Sequence, residues 1–329
     1  MIKKTSKTIR SIAVCILLLL IIYGAVKKYT EFITVEDLYE YPVYIQSDSS
    51  EWYQYAMTGE LRKIEFPSGA DRGEIRISEK GEMYLGTYIQ GDKTYLAEID
   101  CATKDINIIL DLDDIQNGIW DEEKLYDFQY QPDTGNVSVA YQGKIYLINR
   151  KDNRVSVLCE RVQNKGEDFG KVIKNAYSYC WKDAENIVYI DESDQLHICN
   201  IKENSVKLLS ECAHGIYCVS ENGQDIYYGK TERTEHLMFY NLQVCIYKIN
   251  PDIGKNTKVL KIAGSEIFCG QKKGKFLIYT SEGKDNFFEI YNRLGSLFRV
   301  KWTGLEIEPV AMRISGFEIE SLKIKKVIW

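Results

Sequence analysis

The chain repeats itself, and this limits its possible folds more than any other feature. Five segments open on a polar turn and run into a strand rich in Tyr, Ile, Val and Leu: residues 78–86, 131–141, 181–190, 220–229 and 271–280. Each is followed by a second strand, at 94–100, 144–150, 196–201, 245–250 and 287–292. After another turn comes a third, at 106–112, 155–161, 206–212, 257–263 and 297–302. A further short strand precedes the first turn, as at 74–78, 175–181, 216–220 and 266–270. Taking Gly81, Gly135, Glu185, Gly223 and Gly274 as markers, the spacings are 54, 50, 38 and 51 residues. No stretch after residue 30 carries the 3.6-residue period of an amphipathic helix. Four strands recurring every 40–50 residues or so describe the blade of a β-propeller. One small twisted sheet cannot shield both its faces, whereas sheets packed side by side around an axis shield one another. The expected fold class is all-β: a propeller of six four-stranded blades, with seven as the alternative. A pair of stacked sheets is the competing architecture.

The two ends are expected to cooperate. Residues 41–66 read as the later part of a blade whose beginning is missing, and residues 305–324 read as one or two further strands. A blade assembled from both would close the ring, giving a propeller domain over 41–329. The units resemble the WD40-like (PD40, TolB-type) propellers of bacterial envelope proteins. QPDTG at 131–135, SENG at 220–223, and the strands KIYLINR (144–150) and CIYKIN (245–250) carry this resemblance. It covers roughly residues 40–302 and implies the architecture. Such motifs mark hairpins, so it implies no particular activity. Only one repeat keeps Pro-Asp, and none has Trp-Asp.

Residues 11–26, SIAVCILLLLIIYGAV, are apolar and lie between Lys3, Lys4, Lys7 and Arg10 on one side and Lys27 and Lys28 on the other. Sixteen helical residues span about 24 Å, short of a hydrocarbon core of roughly 30 Å, a gap that flanking Lys and Arg partly close by snorkelling. Tyr23-Gly24-Ala25 and Gly24-Ala25-Val26 both fit a cleavage site badly. The expectation is one uncleaved transmembrane signal anchor within residues 1–28, followed by a tether at 29–40. The basic excess before the run places the body outside the cytoplasm. That body has 36 basic and 48 acidic side chains, net −12. Such a charge is repelled by phosphate backbones, so nucleic-acid binding is excluded.

Catalytic signatures are missing. There is no nucleophile elbow and no metalloprotease helix motif. Gly229-Lys230-Thr231 lacks the earlier glycine of a phosphate-binding loop and ends a strand without entering a helix. Cys212, His214 and Cys218 are zinc-type ligands without a fourth. Asp111, Asp113 and Asp114, and Asp191, Glu192 and Asp194, read as solvated turns. The eight body cysteines read as buried, reduced small hydrophobes. No metal, cofactor or catalytic residue is assigned.

The chain holds 24 Tyr. Most of these aromatics are expected to fill the spaces between blades, and the remainder to offer a rim for a partner. Residues 230–243, KTERTEHLMFYNLQ, read as a loop inserted at a hairpin tip, with Leu237, Met238, Phe239 and Tyr240 as binding residues, together with Trp181. The functional expectation is a membrane-anchored extracytoplasmic propeller that binds a protein or peptide. The alternative is a propeller enzyme acting on extracellular carbohydrate or peptide, which requires carboxylates or a His converging at the axis.

Overall fold

The computed structural model describes residues 14–19, 38, 40–56, 59–77, 83–100, 102–112, 127–163, 175–236, 239–262, 266–282, 285–291, 301–302, 305–306, 312–314 and 323–329. The chain runs first through β1 (Val43–Ser47), β2 (Trp52–Tyr55) and β3 (Leu61–Ile64). Four-strand meanders follow. Blade 1 is β4 (Ala70–Ile77), β5 (Met83–Gln90), β6 (Lys93–Asp100) and β7 (Ile106–Asp111). Blade 2 is β8 (Asp127–Tyr130), β9 (Val137–Tyr141), β10 (Lys144–Asn149) and β11 (Arg154–Glu160). Blade 3 is β12 (Tyr179–Trp181), β13 (Asn186–Ile190), β14 (Leu196–Asn200) and β15 (Ser205–Ser210). Blade 4 is β16 (Gly215–Val219), β17 (Ile226–His236), β18 (Phe239–Ile249) and β19 (Asn256–Ile262). Then come β20 (Glu266–Lys272), β21 (Lys275–Glu282), β22 (Asp285–Tyr291), a small ribbon of β23 (Lys301–Trp302) and β24 (Leu305–Glu306), β25 (Met312–Ile314) and β26 (Ile324–Ile328). Blade 5 is β20, β21, β22 and β25.

Five blades are thus each drawn from one stretch of chain. One further four-stranded sheet is composite, in the order β26-β1-β2-β3. Its innermost strand comes from residues 324–328 and its other three from residues 43–64. The innermost strands stand side by side in the order β4, β8, β12, β16, β20, β26.

The local sequence explains the repetition. The third strand of blades 1 to 3 ends on Asp100, Asn149 or Asn200, and Asn250 directly follows that of blade 4. The side-chain oxygen of that residue accepts from backbone N–H groups of the next turn, such as Ala102 at 2.8 Å, Lys151 at 2.9 Å, Glu203 at 2.8 Å and Asp252 at 3.0 Å. Short polar side chains stabilise turns in this way. The third and outer strands of the same four blades share a register shift, at Leu96/Ala97, Ile145/Tyr146, Leu196/His197 and Ile246/Tyr247. Such bulges increase the twist of the sheet. Gln142 and Gly143 turn between β9 and β10 with φ of 46° and 74°. This left-handed pair matches the strand twist and fixes the hairpin register.

Burial runs through consecutive residues: all of Val43–Ser47, and Ile187–Ile190. Since neighbours on a strand face opposite ways, both faces of these sheets are covered. Six apolar clusters among the described residues do the covering, each shared by two neighbouring sheets. The circle closes at two of them. Val43, Ile45, Tyr55 and Val327 of the composite sheet meet Ile267, Leu277 and Phe288 of blade 5. On its other side Tyr44 and Trp52 meet Ile75, Tyr84 and Ile99 of blade 1. Outer strands are barer; Ser205–Leu208 are all exposed.

Two expectations are corrected. The outer strand of blade 5 is Met312–Ile314, pairing with β22, and not 297–302; Lys301–Trp302 pairs with Leu305–Glu306 instead. The closing strand is Ile324–Ile328, later than the segments proposed. At the N-terminus Val14–Leu19 are helical and exposed, and among the described residues no helix is long and apolar enough to cross a membrane. The rest of the expected anchor lies outside the described residues.

Val327 is 1% exposed and pairs with Ile45. Val327→Asp buries an unpaired charge at the ring closure and is expected to cost at least about 3 kcal/mol in denaturant unfolding. Lys325→Asp, on the exposed side of the same strand, should stay within about 0.5 kcal/mol of the parent.

Candidate functional site

The innermost strands bring polar groups to the axis. Arg76 of β4 reaches Asp127 of β8, with Nη2 3.0 Å from Oδ1, and its Nε donates to the Phe128 carbonyl at 2.9 Å. Its guanidinium carbon lies 3.4 Å from the centre of the Tyr177 ring, and Lys326 Nζ of β26 lies 5.8 Å from the same ring. Burial works to lower the pKa of Arg76, but Tyr177 and Asp127 more than offset it, so the guanidinium stays charged. Beside it the Tyr179 hydroxyl sits 2.9 Å from Ser138 Oγ and donates to the Asp127 carbonyl at 3.1 Å. Burial drives the Tyr179 pKa well above its usual range. Gln129 Nε2 donates to the Tyr179 carbonyl. The network ties blades 1, 2 and 3 to the composite sheet.

This arrangement is suited to holding blades together rather than to acid–base work. Among the described side chains of the innermost strands Asp127 is the one carboxylate, and it is paired with Arg76. No group of three His, Cys, Asp or Glu among the described residues is placed to hold a metal. Cys212 is exposed, His214 Nδ1 stands 3.6 Å from Asp194, and Cys218 lies on β16, so the three do not converge. The Asp191 carboxylate serves its own turn, accepting from the Ser193 and Gln195 N–H groups and pairing with His197 at 2.9 Å. Its pKa is lowered: burial pushes it up, and these hydrogen bonds outweigh that. Asp111 pairs with Lys93. Gly229-Lys230-Thr231 lies inside β17.

Of the sequence-predicted binding residues, Trp181 is 5% exposed in the core between blades 2 and 3, where its Nε1 donates to Ser138 Oγ at 2.8 Å. Its indole is closed to a partner. Leu237 and Met238 lie outside the described residues. Phe239 and Tyr240 begin β18, their backbones paired with His236 and Glu235. The segment 230–243 is therefore no irregular loop, because β17 and β18 pair without a break from Ile226↔Ile249 to His236↔Phe239. Neighbouring strands do not follow them. β16 pairs only as far as Gly229, and β19 only as far as Val244. Residues 232–236 and 239–243 thus form a ribbon reaching roughly 17 Å, at about 3.4 Å per residue, with both edges open among the described residues. Its base is fixed. Glu232 accepts from Lys258 at 2.6 Å and from the Tyr247 hydroxyl, and Lys258 above all holds its carboxyl below the usual range. Lys230 Nζ lies 5.7 and 5.3 Å from the Tyr228 and Tyr247 rings.

A cavity of about 700 Å³ opens between the composite sheet and blade 1. Arg62, Lys63 and Glu65 line one wall, Asp100 and Lys104 the other, with Tyr84 between them. Sequence inspection did not find it, since its walls come from two sheets, residues 54–65 and 83–104, whose approach no local pattern reveals.

No protein-family model matches the sequence, and no curated protein aligns with it. Solved structures do resemble it. TolB from Acinetobacter baumannii superposes with a TM-score of 0.55 at 12% identity, covering 88% of this chain and 65% of that one. A chain of a nidogen/laminin complex superposes with a TM-score of 0.51 at 9% identity, covering 87% of this chain and 97% of that one. This chain therefore spans just under two thirds of that TolB chain. The fold is a TolB-like β-propeller of four-stranded blades.

Arg76→Met should remove the guanidinium that lies 3.0 Å from the buried Asp127 carboxylate and lower unfolding free energy by about 3–5 kcal/mol. Combining it with Asp127→Leu should recover much of that loss in the same urea titration.

Proposed function

We propose that this propeller is a binding module, held at the outer face of a membrane by residues 11–26, which engages a protein or peptide partner through the β17–β18 ribbon. The observation that carries this reading is the register of that ribbon. A blade needs no strand longer than those around it, and these five extra pairs run beyond the reach of both neighbouring strands. An unaccompanied ribbon with open edges offers backbone N–H and C=O groups to an extended partner. The sequence of its tip, with Leu237, Met238, Phe239 and Tyr240, supplies apolar anchors of the kind that dominate binding energy. The clamp of Glu232, Lys258 and Lys230 gives the ribbon a fixed origin, which lowers the entropy lost on binding. The acidic body argues for a partner that is neither nucleic acid nor an anionic lipid surface.

Replacing residues 233–242 by Asn-Gly leaves Glu232 and Gln243 flanking a two-residue turn of the favoured type. The shortened protein should melt like the parent. A purified partner identified by cross-linking should bind it at least about 100-fold more weakly, a loss of about 2.7 kcal/mol. Equal affinity for both forms would refute the ribbon's role.

For the membrane end, a reporter active only outside the cytoplasm, fused after Trp329, should be active in the membrane fraction. Activity of a cytoplasm-only reporter at that position would overturn the orientation.

A further inference from the structure

Two thiols meet across the join between blades 2 and 3. Cys159 stands on β11 opposite Ile145, and Cys199 on β14 opposite Ile187. All four side chains belong to the core cluster that these blades share. The two cysteines are 6% and 3% exposed, and their thiols lie within hydrogen-bond reach of each other. The other described body cysteines differ. Cys180 and Cys269 donate to backbone carbonyls, Cys218 accepts from the Gln271 backbone, Cys245 lies beside Lys258 and Glu232, and Cys212 is exposed.

We propose that Cys159 and Cys199 are a disulfide-forming pair that ties blade 2 to blade 3. The bond requires the sulfurs to close to about 2.05 Å from neighbouring places in that cluster. It would enclose a loop one blade long, and so would restrict the unfolded chain while crossing an interface held otherwise by packing and hydrogen bonds. The oxidant is a small disulfide such as oxidised glutathione. One thiolate attacks it and displaces a glutathione thiol. The second thiolate then attacks the mixed disulfide and releases another. One S–S bond breaks and one forms, and the two cysteine protons end on the released thiols. Burial, and then the neighbouring Cys199, push the Cys159 pKa up, which protects the thiols in the closed structure. The bond therefore forms during folding, once the two blades have met and before their join closes to solvent. The proposal is independent of the ribbon's role.

The test is refolding of the full chain from denatured, reduced protein in oxidised or reduced glutathione, followed by peptide mapping without reduction and by thermal melting. The expected result is a peptide pair joining Cys159 to Cys199, dominant over every other link. Melting should rise by about 5 °C or more in the oxidised sample. The Cys159→Ala/Cys199→Ala double variant should fold in both buffers and show no such rise. Three results would each overturn the proposal: both thiols still free to alkylation in the oxidised, folded protein; Cys159 joined mainly to another cysteine; or the same melting shift in the double variant.

Discussion

A four-stranded antiparallel sheet is one backbone thick and has two faces, and in this chain both are apolar. That is the constraint on which the rest depends. The runs Val43–Ser47 and Ile187–Ile190 are buried residue by residue, which is possible only when something packs on each side. A fully buried Val, Leu, Ile or Phe contributes roughly 1.5–3 kcal/mol relative to leaving it in water. Each of the six clusters holds several such side chains, so no sheet is stable without both neighbours. The consequence is circular: the first strands of the domain must find the last. β26 provides this by pairing with β1, and Asn175 fixes it further, its amide accepting from the Val327 N–H and donating to the Val327 carbonyl.

Polar links are laid over this apolar frame at points where strands of different blades come close. Glu98 of β6 takes both guanidinium nitrogens of Arg150, at 2.9 and 2.6 Å, a fork geometry that fixes blade 1 against blade 2. Arg76 also joins blade 1 to blade 2 nearer the axis, through Asp127 and the Phe128 carbonyl. Tyr177 and Ile216 exchange backbone hydrogen bonds between blades 3 and 4, at 2.7 and 2.8 Å. Of the acidic residues that stand out in the sequence, Asp111 pairs with Lys93 and Asp191 serves its own turn and His197, while Asp113 and Asp114 lie outside the described residues. The surplus of tyrosine is absorbed chiefly by the spaces between blades, where Tyr55, Tyr179 and Tyr228 are fully buried.

Much of this was legible in the sequence because blade structure is local. Turns, strand lengths and the order of strands within a blade depend on neighbouring residues, and the four-strand unit showed through. The Asp or Asn at the end of the third strand, or just after it, was in plain sight at 100, 149, 200 and 250, and is the best single mark of the unit. What failed was long-range. Residues 297–302 have the composition of an outer strand, yet Met312–Ile314 takes that place, since pairing partners are chosen by what the ring leaves open. Trp181 read as a surface aromatic because nothing local reveals Ser138 waiting 43 residues earlier. The ribbon read as a loop because its polar residues, Lys230 to Glu235, resemble turn chemistry; only the register shows that they pair.

The proposed function follows from where regularity is exceeded. Among the described residues, the axis carries paired groups and the joins between blades are core. Blade 4 alone among the described blades carries paired strands of eleven residues. The account rests on closure of the ring by β26, and native-state hydrogen exchange measures it most directly. If the ring is closed as described, the amides of β26 and β1 exchange at the slow rate set by global unfolding, together with those of β9 and β13. Exchange of Ile324–Ile328 within seconds, while β9 and β13 remain protected, would contradict it.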